Sequence, residues 1–195
     1  MTPSPSLKEQ ERFTYSDYLT WPDDERWELI DGVAYSMSPA PSPMHQHVQA
    51  GFIAQLYMQL KGKACQVFGA PFDVRLSDVD NPGDDEIDSV VQPDVVVICD
   101  RNKIDDKGCN GAPNLVIEIL SPSTSKYDLS DKRSLYERHG VGELWFVHPL
   151  DKTSMIFYLQ DNGKYASPLV YGVDATVVLK SVDGAIIDLA EVFTE

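Results

Sequence analysis

No stretch of this chain is apolar for long enough to cross a bilayer. The longest aliphatic runs, Val95 to Ile98 and Leu115 to Ile117, fall far short of the roughly twenty residues that a membrane helix takes. No membrane partner is expected. Met1 to Phe13 mixes Pro, Ser, Lys, Glu and Gln without an apolar centre, which predicts a loose lead-in over 1–12 and neither a secretory signal nor an anchor. Cysteine is scarce: Cys65, Cys99 and Cys109 are odd in number and show no Cys-x-x-Cys spacing. Reduced thiols in a cytoplasmic setting are the expectation. No cluster of Cys and His has the spacing of a structural zinc site, so soft-metal chemistry is not expected.

Positive charge is also in short supply, with 16 Lys and Arg against 31 Asp and Glu and a formal net charge of −15. Duplex binding normally draws on Lys and Arg to neutralise phosphates, so this balance argues against a broad basic DNA-binding face. Between Asp73 and Asp106 stand eleven acidic and three basic residues. Part of that excess is the run Asp84-Asp85-Glu86-Ile87-Asp88, which after Asn81-Pro82-Gly83 predicts a solvated loop. Internal repeats and inter-domain linkers are lacking too. With 43% hydrophobic residues, the 195-residue chain reads as one domain over 1–195.

What is present is a pattern of short strands and a few helices. Thr14 with Asp17 three residues on predicts a capped, short helix stopped at Trp21-Pro22. Trp27 to Ile30 and Val33 to Met37 flank Asp31-Gly32, the pair a type I′ hairpin favours. Ser38 to Pro43 is too rich in proline to continue a strand, and from Met44 to Lys61 the residues Val48, Phe52, Ile53, Leu56 and Leu60 recur at helical spacing. Cys65 to Phe68, Phe72 to Leu76, Pro93 to Ile98 and Leu115 to Leu120 read as strands, the last two apolar on both faces and so central in a covered sheet. Ser121 to Ser125 predicts a turn. Leu129, Lys132, Leu135, Tyr136 and His139 then share a helical face ending at Gly140. Glu143 to His148, Met155 to Leu159 and Thr176 to Leu179 are expected to complete the sheet, with a short helix over Ile187 to Phe193. The fold class is α/β, of the α+β mixed-sheet kind.

Glu118 is the residue most in need of an explanation, because a carboxylate inside an apolar strand is expensive to desolvate without a cation, a donor or a raised pKa. Strand alternation puts it on one face with Val116 and Leu120. Asp94 opens the neighbouring apolar strand directly after Pro93, where the ladder is irregular and the side chain accessible. Two carboxylates on adjacent strands suit Mg²⁺ or Mn²⁺, hard ions that accept oxygen ligands and keep waters and a substrate phosphate. The blander reading has Glu118 paired with a core Lys or Arg and Asp94 capping a turn. Lys132, on the apolar face of its helix, requires an anionic neighbour unless it snorkels to solvent. Turned inward, it could orient a water and offset transition-state charge. Glu28, on the first strand, could add a third acid, although an exposed strand face explains it equally well. His45 and His47 open the long helix and are set aside as incidental.

Four segments carry a resemblance: Trp27-Glu28-Leu29-Ile30-Asp31-Gly32, Gly69 to Leu76, Val91-Gln92-Pro93-Asp94, and Leu115 to Thr124. With Asp131-Lys132-Arg133, Tyr136 and Gly142-Glu143-Leu144-Trp145, the chain resembles the Uma2 (DUF820) family over about Phe13 to Tyr165. The resemblance implies a restriction-endonuclease-like core of the PD-(D/E)xK superfamily, a mixed sheet flanked by helices, and often a homodimer. It implies a Mg²⁺-dependent (or Mn²⁺-dependent) endonuclease acting on DNA, with Asp94 and Glu118 as metal-binding acids and Glu28 as the acid of the first element. The superfamily's strand lysine is replaced by Leu120, and Lys132 looks like its migrated substitute. The competing expectation is a catalytically inactive nuclease scaffold acting as an acidic interaction module. A sugar hydrolase using Glu118 and Asp94 is set aside, because no aromatic subsite is identifiable in the sequence.

Overall fold

A computed structural model describes residues 12–22, 24–37, 40–121, 128–182 and 184–194, the side chains of Asp128 and Leu129 excepted. Residues 1–11 of the lead-in expected over 1–12, part of the Ser38 to Pro43 segment, most of the turn from Ser121 to Ser125 and the facing of Leu129 lie outside the described residues. Helix α1 (Tyr15–Tyr18) is one turn long, and Asp17 accepts from the Thr14 backbone N–H at 2.8 Å, as a capping box requires. Strands β1 (Trp27–Ile30) and β2 (Val33–Ser36) pair through a turn in which Asp31 and Gly32 have φ of 50° and 74°. Both values are positive, which a type I′ turn demands. Helix α2 (Pro43–Leu60) starts with proline in its first turn and the Ser42 hydroxyl accepting from the His45 N–H. Its buried residues, Val48, Phe52, Leu56 and Leu60, stand four apart on one face.

The strands divide between two six-stranded mixed sheets. The first has the order β2-β1-β5-β4-β8-β7 and adds β4 (Val74–Leu76), β5 (Ser89–Val91), β7 (Ile104–Asp105) and β8 (Gly108–Asn110) to the hairpin. The second runs β12-β11-β10-β9-β6-β3, built from β3 (Gln66–Gly69), β6 (Val95–Ile98), β9 (Leu115–Ile119), β10 (Glu143–His148), β11 (Thr153–Tyr158) and β12 (Leu169–Tyr171). Gln92, Pro93 and Asp94 carry the chain from β5 in one sheet to β6 in the other. Between β9 and its parallel partner β10 stands a π-helical turn (Asp128–Lys132) that runs into α3 (Arg133–His139), closed by Gly140 at φ 83°.

Alternation along β9 sorts its side chains between two cores. Leu115, Ile117 and Ile119 pack with Val48, Phe52 and Leu56 of α2, whereas Val116 and Leu120 pack with Leu135 and Tyr136 of α3. Glu118 therefore faces α3. A third, smaller cluster joins Tyr15, Leu29, Ile87 and Val90 on the outer side of the first sheet.

Several expectations change. Ile87, inside the acidic run, is 1% exposed and its carbonyl accepts from the Tyr15 N–H, so the predicted solvated loop is pinned at its end and leads directly into β5. A three-residue strand among acids is too short for a period-two signal. Thr176 to Leu179 does not complete the main sheet: β13 (Thr176–Val178) pairs with β14 (Ile186–Asp188) in a separate two-stranded ribbon. The terminal helix, α4 (Leu189–Phe193), begins two residues late because Asp188 caps it by accepting from the Ala190 N–H. Cys65 and Cys99, expected as free thiols, form a disulfide. The β3–β6 register sets Gln66 against Ile98 and so brings these cysteines, 34 residues apart, face to face. Cys109 is free and buried, and desolvation pushes its thiol pKa up to about 12. Among the described residues no helix is long and apolar enough to cross a membrane.

Candidate functional site

The β9 sequence Leu-Val-Ile-Glu-Ile is buried along its whole length, and Glu118 is only 4% exposed within it. Its Oε1 accepts from the Tyr136 hydroxyl at 2.6 Å and from Lys132 Nζ at 3.2 Å. Lys132 is the last residue of the π-helical turn and Tyr136 lies four residues on in α3, so one helical face delivers both donors to one oxygen. Irregular π turns recur at functional sites because they re-aim a side chain that an α-turn would direct elsewhere. Burial, then the nearby Glu118 carboxylate, raises the Tyr136 pKa well above the ordinary phenol value, which keeps this hydroxyl a proton donor to Glu118.

Lys132 does not snorkel. It is buried, and its Nζ also lies 2.9 Å from Glu28 Oε1. Glu28 in turn accepts from the Gln92 backbone N–H at 2.8 Å. One ammonium therefore joins an acid of the first sheet to an acid of the second, with Glu28, Glu118 and Lys132 each less than 5% exposed. Among the described residues the two carboxyl groups share this lysine, and a buried ionic cluster of this kind is held only where its members are paired.

Asp94 sits just before β6. Because Val95 pairs with Ile117, the antiparallel register carried back one residue sets Asp94 opposite Glu118. Its carboxylate is 18% exposed and held in place: Oδ2 accepts from the Ile119 N–H at 2.7 Å and faces His45 Nε2 at 3.2 Å. Gln49 Nε2 and the Ala70 N–H donate to the Asp94 carbonyl. His45, set aside on sequence grounds, thus reaches the site from the first turn of α2. His47 bonds instead to the Thr194 carbonyl, far along the chain.

Asp94 and Glu118 supply hard oxygens at opposed positions of adjacent strands, a donor set chemically suited to Mg²⁺ or Mn²⁺. Among the described residues no group of three or more His, Cys, Asp and Glu gathers to ligate a metal by itself. Leu120, where the resemblance would put a strand lysine, is 6% exposed in the apolar cluster with Val116 and Leu135, so no charge enters from that position. Tyr136, Gln92 and His45 are the residues sequence reasoning passed over. Only Tyr136 left a signal, its i+4 spacing from Lys132. Glu143 is a buried acid of another kind, tying the Trp145 indole N–H to the backbone N–H groups of Lys180 and Ser181.

Comparison with known proteins agrees with this geometry at the level of fold and family. An uncharacterized protein of Synechocystis sp. strain PCC 6803, slr1290, is 26% identical over 185 residues, covering 92% of this chain and 88% of its own. The crystal structure of a DUF820 protein from Anabaena variabilis ATCC 29413, described as a "putative nuclease", superposes with a TM-score of 0.72 at 20% identity, over 93% of this chain and 97% of that one. It shares the mixed α+β fold. The family model Uma2, described as "Putative restriction endonuclease", matches residues 15–190, and the chain belongs to the Uma2 family.

Proposed function

We propose that this protein is a divalent-metal-dependent endonuclease that hydrolyses phosphodiester bonds in DNA, with Asp94, Glu118, Lys132 and Glu28 as its working residues. The observation that carries the reading is the position of Lys132 Nζ, 3.2 Å from Glu118 and 2.9 Å from Glu28, while Asp94 stands opposite Glu118 across the β6–β9 pair. Asp94 and Glu118 would hold Mg²⁺ or Mn²⁺, which when bound supplies Lewis-acid activation of the phosphate and of the attacking water.

The remaining work falls to the chain. Lys132, fixed between two carboxylates, presents its ammonium where it orients the water and offsets negative charge growing on the phosphate oxygens. Glu28 holds that ammonium from the far side and is itself held by the Gln92 N–H. Tyr136 donates to Glu118 Oε1 and fixes the carboxyl on its strand. His45 and the Ile119 N–H steady Asp94. A non-catalytic acidic module would have no use for a lysine drawn into a buried pair of acids, a feature that adds little stability by itself.

The test is calorimetry of Mg²⁺ and Mn²⁺ at low salt on wild type, Asp94→Ala and Glu118→Ala, followed by plasmid nicking with the same samples. The expected result is metal binding and nicking in wild type and loss of both in each variant. A wild type that binds no divalent ion and nicks nothing sinks the proposal.

A further inference from the structure

Glu28 is tied to more than Lys132. Its Oε1 accepts from the Gln92 backbone N–H at 2.8 Å, and the Gln92 side chain carries the connection outward to Arg26, an exposed cation that the hydrolytic reading leaves without a task. Arg26 stands two positions before Glu28, roughly 7 Å away along the line of β1. One atom holds its guanidinium: Gln92 Oε1 accepts from Nη2 at 2.6 Å and from Nε at 3.2 Å.

The orientation of that carboxamide is fixed by its other end. Its nitrogen donates to Asp73 at 2.8 Å and to the Tyr18 hydroxyl at 3.2 Å, and an amide turned over would set its own N–H groups against those of Arg26. Arg26 is therefore held by a neutral oxygen and not by an acid. Among the described residues it has no carboxylate at ion-pair distance, in a chain with 31 acidic and 16 basic residues. Arg75 and Arg138, by contrast, are paired with Asp105 and Asp31. Glu25, beside Arg26 in the chain, accepts instead from the Trp27 indole N–H at 3.0 Å. With Nε and one Nη2 proton committed to Gln92, the Nη1 edge of the fork remains, and such an edge meets two oxygens of one phosphate.

Resting on the nuclease reading, we infer that Arg26 is a phosphate clamp: its Nη1 edge binds a non-scissile phosphate of the nucleic acid next to the acid site, while Gln92 keeps the guanidinium aimed. Gln92 thereby holds a substrate-binding group with its side chain and Glu28 with its backbone. A neutral holder suits that task. A carboxylate in place of the amide would cancel the charge that the phosphate needs, whereas the amide fixes direction and leaves the charge in full. At a net charge of −15 the chain has few cations with which to neutralise phosphates, so the placing of each one counts.

The experiment is a fluorescence-anisotropy titration of a labelled oligodeoxynucleotide duplex with the intact protein, without divalent ion, at a series of salt concentrations. Wild type, Arg26→Ala, Arg26→Lys and Arg101→Ala are compared. Arg101 is the control, because it is also exposed and is bonded to the carbonyls of Lys63 and Ala64, beyond the end of β6 opposite to Asp94. In Arg26→Ala, binding should weaken roughly tenfold, and the slope of log K against log salt should flatten by about 0.9, the share of one phosphate contact. Arg26→Lys should keep most of the slope, and Arg101→Ala should match wild type in both quantities. A fall in affinity at unchanged slope assigns Arg26 to the fold alone and overturns the inference. So does an equal loss in Arg101→Ala, or a wild type that binds no duplex. In the plasmid assay, Arg26→Ala should raise KM with kcat held, as loss of uniform binding does. The expected binding pattern without any nicking by wild type supports the clamp and sinks the nuclease reading, whereas nicking with an unchanged KM in Arg26→Ala sinks the clamp alone.

Discussion

Removing the Lys132 ammonium tests the site and the fold together. In Lys132→Met the side-chain volume is nearly kept, but Glu28 and Glu118 lose the cation 2.9 Å and 3.2 Å away. Both acids are less than 5% exposed, so water cannot take its place. Breaking a buried pair in this way destabilises by ~3–5 kcal/mol, which for a domain of this size is a fall of roughly 6–20 °C in melting temperature. The deficit should be relieved when the orphaned charges are also removed. Lys132→Met combined with Glu28→Gln and Glu118→Gln keeps acceptors for the Gln92 N–H and the Tyr136 hydroxyl, and should recover most of the lost stability. Activity should not recover with it. On the proposed mechanism, nicking falls by about 10²- to 10³-fold in the single variant, the usual loss for a preorganised electrostatic group, and stays low in the triple variant because Glu118, the proposed metal ligand, is gone. Urea melts of wild type, single and triple variants, with plasmid nicking on the same samples, make the measurement. A single variant within about 1 kcal/mol of wild type, the scale of an exposed ion pair, refutes the placement of Lys132 between the two acids.

Other perturbations follow from the same structure. Tyr136→Phe removes the donor at 2.6 Å from Glu118 and should cost about 1–3 kcal/mol in a denaturant melt; no change would mean that the phenol is not bonded there. Asp73 has its pKa raised, mainly by burial, with Gln92 and Tyr18 as donors acting the other way. A carboxyl raised above its unfolded value contributes stability that is present below the unfolded pKa and lost as pH rises through the folded one. Asp73→Asn should therefore be more stable than wild type at pH 7 and lose that advantage in acid, a difference that urea melts at neutral and acidic pH read out. Gly108 has φ 121°, and a Cβ there would run into the Asp73 backbone, while Gly140, at φ 83°, has open space around it. Gly140→Ala should cost roughly 1–2 kcal/mol and Gly108→Ala clearly more by thermal melting; equal effects would count against the β4–β8 packing.

Much of the architecture was legible because it rests on local chemistry. Asp31-Gly32 specified a type I′ hairpin, the four-residue spacing of Val48, Phe52, Leu56 and Leu60 specified the buried face of α2, and Gly140 marked the end of α3. Glu118 stood out for the same reason, since a carboxylate within Leu115 to Ile119 demands a partner whatever the surroundings. Strand alternation was enough to say that it faces away from Ile117 and Ile119.

Which partner it finds is a different kind of fact. Helical spacing with Leu135 and Tyr136 turns Lys132 inward, but that its ammonium meets Glu28 of the first sheet as well as Glu118 of the second is decided by the fold. His45 meets Asp94 and Cys65 meets Cys99 only because sheet register and the β5–β6 crossover bring distant segments together. Each such contact joins residues whose separation along the chain carries no signal of its own. The types of chemistry available were thus set by composition and local pattern, whereas the pairing of acid with base and thiol with thiol was decided by how the two sheets and the helices pack.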